Sequence, residues 1–142
     1  MKKYCMENDS FILCTDAVQV VESPEALRIA SGDTLLLSCV AYGVPLPSVS
    51  WSKNGSTLEN NTQITILEEL VAASDPNFAT YEHLVNRSGA MFVRSIIQIR
   101  SIRLIDSDHY SCSADNGFTN DTSSSFEVVV EGKSAFDDCE FV

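Results

Sequence analysis

Apolar residues recur along this chain in short alternating runs. TLLLSCVAY (34–42) sets Leu35, Leu37, Cys39 and Ala41 on one face at a period of two. SVSWSK (48–53) does the same with Val49 and Trp51. AVQVVES (17–23), ALRIAS (26–31), TQITILEEL (62–70), FVRSIIQIRSI (92–102), HYSCSADNG (109–117) and SSFEVVVEG (124–132) are further candidate strands. The breaks carry turn chemistry: SGD (31–33), GVPLP (43–47) and NGS (54–56). Residues 71–90 are irregular, with room for a short helix at 76–84. Eight or nine short strands with almost no helical period predict an all-β sandwich or barrel.

Composition narrows what such a fold would do. The 142 residues suffice for one domain, and 44% hydrophobic content supports a core. A net charge of −11 argues against nucleic acid, whose phosphates recruit Lys and Arg. No run of 18 apolar residues suggests a membrane-spanning helix. The N-terminal MKKYCMENDSFILC lacks the apolar stretch of a signal peptide, so an exported protein would be expected to carry this chain as part of a longer precursor.

Catalytic and metal chemistry find little support. No G-x-S-x-G elbow occurs, and His109 falls on the solvent phase of its strand. The acids near Asp106, Asp108, Asp115 and Asp121 lack EF-hand spacing. The five cysteines, Cys5, Cys14, Cys39, Cys112 and Cys139, form no C-x-x-C pair, and only His83 and His109 could join them around zinc. The expectation is a non-enzyme with no cofactor and no metal. Whether the cysteines are thiols or disulfides is open at this level, although Cys5 and Cys14 are close enough in sequence to bridge. Five Asn-x-Ser/Thr sequons, at Asn8, Asn54, Asn60, Asn86 and Asn120, exceed the roughly 1.5 that chance would give. They point to a glycosylated protein from an oxidising compartment.

Cys39 is followed by Trp51, then by Cys112, with Tyr110 two residues before the second cysteine. This order resembles the immunoglobulin fold. GVPLPSVSW (43–51) resembles the G-x-P-x-P-x-V-x-W run of its I-set branch. Ile97, Ile99, Ile102, Asp106, Tyr110 and Cys112 resemble that branch's L-x-I-x-x-V-x-x-x-D-x-G-x-Y-x-C run, with Asp108 standing where Gly or Ala is usual. The resemblance covers about residues 17–131. It implies an immunoglobulin-like Greek-key β-sandwich of two antiparallel sheets, with an enlarged C′–D/E region at 67–90. It further implies a Cys39–Cys112 disulfide, Trp51 packed on it, and Tyr110 as a tyrosine corner. It assigns Asp106 to pair with an arginine, for which Arg87 is the candidate.

The expected organisation is a flank at 1–15, an I-set domain at 16–132 and a linker at 133–142. The resemblance implies an extracellular binding module of a cell-surface receptor or adhesion protein, recognising a protein ligand or a like immunoglobulin domain. Homodimerisation and packing against neighbouring domains of the same chain are open. The alternatives are a structural spacer in a multi-domain or matrix protein, or a domain appended to a secreted decoy or enzyme. Phe78 and Tyr81 in the enlarged region, and Arg94, Ile96 and Arg100 on one strand face, are the candidate partner surface.

Overall fold

The computed structural model describes residues 3–8, 11–72 and 91–132, with side chains from residue 15 onward. Among the described residues, eleven strands form two sheets. They are β1 (Lys3–Asn8), β2 (Phe11–Glu22), β3 (Leu27–Ala30), β4 (Leu35–Val44), β5 (Ser48–Lys53), β6 (Ser56–Thr57), β7 (Ile64–Ala72), β8 (Met91–Ile99), β9 (Asp108–Asp115), β10 (Asn120–Thr122) and β11 (Phe126–Glu131). One sheet runs β1-β2-β4-β8-β7, all antiparallel. The other runs β3-β11-β9-β5-β6, with β10 added beside β9 and β3 parallel to β11.

Alternation fixes which residues lie between the sheets. Leu35, Leu37, Cys39 and Ala41 of β4 face Val93, Ile97 and Ile99 of β8 within one core, joined from the second sheet by Val49, Trp51, Tyr110, Cys112, Ala114, Phe126 and Val128. Each buried Leu, Ile, Val or Phe among them contributes about 1.5–3 kcal/mol. The hairpin between β5 and β6 turns at Asn54 and Gly55, with φ of 48° and 81°. Consecutive positive φ values match a primed turn, which is why Asn-Gly sits there.

The cross-sheet link is a closed circuit. Cys39 lies opposite Ser95 in the first sheet, and Trp51 lies opposite Cys112 in the second. A disulfide joins Cys39 to Cys112, and the Trp51 indole Nε1–H donates to Ser95 Oγ at 2.9 Å. Ser95, a polar residue at a core position, is thus required by the indole N–H, which would otherwise be buried unpaired.

β4 does not keep the single buried face that its sequence predicts. Val40 and Tyr42 point away from the sandwich, yet they are buried with Val71 and Phe92 in a second small cluster on the outer face. Tyr42 and Phe92 meet edge-on at 5.7 Å, and the Tyr42 hydroxyl donates to Asp16 Oδ2 at 2.6 Å. The strand also runs on through Gly43 to Val44, into the stretch predicted as a break. Gly43 is packed so tightly on β2 that an added Cβ would lie 2.9 Å from Val18 Cγ2. The boundary expected at 15/16 falls inside β2. The short helix expected at 76–84 lies outside the described residues.

Ser95→Ala should lower unfolding free energy by about 1–3 kcal/mol, the usual cost of leaving a buried donor without its acceptor. Urea unfolding followed by Trp51 fluorescence measures it; an unchanged midpoint would mean that the indole bond carries no weight.

Candidate functional site

The corner that precedes β9 is built for support. Leu104–Asp106 make one 3-10 turn. Arg103 and Asp106 bond reciprocally: the Arg103 amide donates to Asp106 Oδ2 at 2.7 Å, and the Asp106 amide donates to the Arg103 carbonyl at 2.8 Å. Gln63 Nε2–H donates to the same carboxylate at 3.1 Å, and Lys53 Nζ lies 3.9 Å from Oδ1. Among the described residues the arginine beside Asp106 is Arg103, whose guanidinium lies 3.4 Å away. The candidate Arg87 falls outside the described residues. The resemblance asks only for an arginine beside Asp106, and the 3-10 turn brings Arg103 back to that carboxylate.

Tyr110 donates its hydroxyl to the Asp106 carbonyl, as a tyrosine corner does, and its ring stacks on Phe126 at 6.4 Å. Burial first, then the charges of Asp106 and Asp108, push the Tyr110 phenol up to about 12. For Asp106, burial acts to raise the carboxyl, but the hydrogen bonds from the Arg103 amide, Gln63 and the Arg103 side chain outweigh it and hold the group below its ordinary value.

The opposite situation holds on the outer face of the β2-β4-β8-β7 sheet, where apolar side chains meet solvent. Ser38, Ile96 and Leu67 form one cross-strand row, and Leu36, Gln98 and Thr65 form the next. Leu36 and Leu67 are 63% and 61% exposed. Ile96, half-buried, stands diagonally beside Leu36 and directly opposite Leu67. Polar groups border them. Arg94 donates to Glu69 directly across the ladder at 2.7 Å, and Arg100 donates to Thr65 Oγ1 at 2.8 Å. A groove of ≈ 370 Å³ runs between Glu22, Leu36, Leu37, Ser38, Arg94 and Ile96.

The candidate residues Arg94 and Ile96 thus lie together on this face, and Arg100 stands just past the end of β8. Phe78 and Tyr81 fall outside the described residues. Leu36 and Leu67 were not singled out from sequence. The signal was present: each is apolar on the solvent phase of its strand, between Leu35 and Leu37, and after Ile64 and Ile66.

Of the sequons, Asn54 is exposed in the β5–β6 turn and Asn120 is exposed at the start of β10. Asn60 is exposed in the link to β7, where its Oδ1 accepts the Ile66 amide at 2.7 Å. Asn8 ends β1, without a described side chain, and Asn86 lies outside the described residues. His109 is solvent-exposed with its Nε2 3.9 Å from Glu127. Among the described residues no three His, Cys, Asp or Glu side chains gather as a metal site, and no helix is long and apolar enough to cross a membrane.

Comparison with known proteins agrees with this architecture. The sequence model of the immunoglobulin domain family matches residues 19–116. The chain belongs to that family. Among curated relatives, human Roundabout homolog 3 is 32% identical over 79% of this chain, which spans 7% of the relative. Human Brother of CDO is 30% identical over 59% of the chain, spanning 8% of that protein. Zwei Ig domain protein zig-3 of Caenorhabditis elegans is 27% identical over 90% of the chain, which spans 47% of it. The chain therefore corresponds to less than half the length of each of these proteins. Among solved structures, the titin M10–obscurin-like 1 Ig complex contains a chain with a TM-score of 0.61 and 21% identity, covering 84% of this chain and 99% of that one. The N-terminal Ig1-2 module of Drosophila receptor protein tyrosine phosphatase DLAR gives 0.61 and 20%, covering 84% and 51%. These likenesses establish the immunoglobulin fold.

Within this immunoglobulin domain, the corner should show itself in pH dependence. The raised Tyr110 phenol contributes stability that is complete below pH 10 and declines as pH rises toward 12. The lowered Asp106 carboxyl contributes stability that is present above the ordinary carboxylate value of 3.8 and lost as pH falls through the folded value. Tyr110→Phe should cost about 1 kcal/mol at neutral pH and flatten the alkaline decline. Asp106→Asn should flatten the acid one. Unfolding free energies measured from pH 2 to 12 check both; slopes identical to those of the parent would contradict the assignment.

Proposed function

We propose that the chain is a non-catalytic, extracellular protein-recognition module of a cell-surface receptor or adhesion protein, and that it meets its partner through the outer face of the β2-β4-β8-β7 sheet. The observation that carries the reading is the exposed Leu36–Ile96–Leu67 patch, bordered by the Arg94–Glu69 pair and Arg100. A solvent-facing sheet surface ordinarily alternates to polar residues. An apolar centre inside a polar border is the anatomy of a contact surface.

Three further facts support the setting. A disulfide sits in the core, and disulfides persist in oxidising compartments. Two of the three exposed sequons, Asn54 and Asn120, belong to the other sheet, so glycans there would leave this face open, while Asn60 lies in the link to β7 at the edge of this sheet. Relatives include a cell adhesion molecule-related protein of Xenopus laevis, 24% identical over 78% of the chain, and mouse neural cell adhesion molecule L1-like protein, 31% identical over 77%. The partner is a protein, as it is for the titin M10 domain whose name describes a complex with an obscurin-like 1 immunoglobulin domain. The finer I-set assignment rests on the GVPLPSVSW run, the Asp106 and Tyr110 corner and the Cys39–Trp51–Cys112 order.

Leu36→Glu, Ile96→Glu and Leu67→Glu, each checked for an unchanged fold by circular dichroism, should reduce cell adhesion or ligand capture by the full-length parent at least tenfold. Glu127→Ala on the other sheet should leave it unchanged. Full adhesion in all three face variants would overturn the recognition surface and leave the domain a spacer.

A further inference from the structure

The N-terminal ribbon brings two cysteines into register. β1 and β2 pair without a register shift from Asn8 opposite Phe11 to Lys3 opposite Asp16, and Cys5 falls directly opposite Cys14. Opposed residues of an antiparallel ladder share one face, with Cα atoms about 4.5 or 5.5 Å apart depending on the hydrogen-bonding phase. Both separations lie within the roughly 4.4–6.8 Å that a disulfide spans. β2 begins to pair with β4 only at Asp16, opposite Val44. Among the described strands, Phe11 to Thr15 therefore pair with β1 alone. A two-stranded ribbon with no third strand is marginal in water. The chain is anchored where this ribbon ends: Thr15 and Asp16 are buried, and Asp16 accepts the Tyr42 hydroxyl.

We propose that Cys5 and Cys14 form a cross-strand disulfide that staples this ribbon one pair away from its anchor. The staple keeps β1 as the edge of the five-stranded sheet. In the reaction two thiols lose two protons and two electrons as the S–S bond forms. A disulfide oxidant such as oxidised glutathione takes them up and is split into two thiols. With Cys39 and Cys112 joined in the core, the fifth cysteine, Cys139, is left outside both bridges. The inference concerns the sulfur chemistry of the ribbon and does not depend on the proposed recognition surface, since oxidised glutathione can be supplied in vitro.

Both cysteines lie between Lys3 and Arg28, so trypsin would not part them. Cleavage after Glu7 and Glu22 would. The full chain, folded with reduced and oxidised glutathione and alkylated without reduction, should yield peptides 1–7 and 8–22 as one linked species that separates on reduction. Alkylated Cys5 and Cys14, or either of them linked to Cys139, would overturn the proposal. Hydrogen exchange then tests the staple itself. In a Cys5→Ser/Cys14→Ser variant, amides of residues 4–15 should exchange at least tenfold faster while those of residues 35–41 keep their rates. Unchanged exchange in the ribbon would show that the link does not hold it.

Discussion

The interaction on which the rest depends is the four-residue circuit through the middle of the sandwich. Cys39 and Ser95 are neighbours in one sheet, and Trp51 and Cys112 in the other. A covalent bond closes one side between the sheets and an indole hydrogen bond closes the other. A strand slipped by one residue would turn its inward side chain outward. In β4 or β9 that would break the sulfur link, and in β5 or β8 the indole bond. The circuit therefore fixes register in both sheets at one level. The alternating core of Leu37, Ile97, Ala114 and Val128 then follows above and below it.

That rigidity separates two kinds of exposed feature. At the corner, Asp106 is enclosed by Arg103, Gln63 and Lys53, and Tyr110 closes on its carbonyl. Its polar groups look inward to one another and shape the fold. On the outer face, the same scaffold holds Leu36, Ile96 and Leu67 on three adjacent strands, with Leu36 and Leu67 open to solvent and Ile96 half-buried between them. Because they stand on strands and not on loops, their spacing is set by the ladder. A partner would find the patch already formed.

Much of the fold was legible in the sequence because it depends on period-two alternation and on a few spacings that tolerate little change. SVSWSK became β5 at the predicted residues, and the Asn-Gly pair turned as its φ preference requires. The immunoglobulin order of Cys39, Trp51, Tyr110 and Cys112 gave the core its shape. Less was legible where pairing depends on residues distant in sequence. β1 was read as a flank because KYCMEN shows no apolar–polar alternation to declare a strand. β10 was missed because three residues show no alternation; it is held by Asp121, which accepts the Val20 amide at 2.8 Å, and by neighbouring Thr119, which accepts that of Val18. The outer-face cluster of Val40 and Tyr42 was hidden because burial on the second side of a strand is a tertiary property. The candidate surface was half visible: Arg94 and Ile96 were found by phase, while Leu36 and Leu67 were absorbed into the apolar runs around them.

The direct test of the central circuit is the unfolding free energy of the chain against a Cys39→Ala/Cys112→Ala variant in urea. The bridge joins residues 73 apart, and closing a loop of that length in the unfolded chain is worth about 4 kcal/mol. A loss of that size, or failure of the variant to fold at all, is the predicted result. A variant within about 1 kcal/mol of the parent would contradict the account, because the sheets would then hold their register without the link between them.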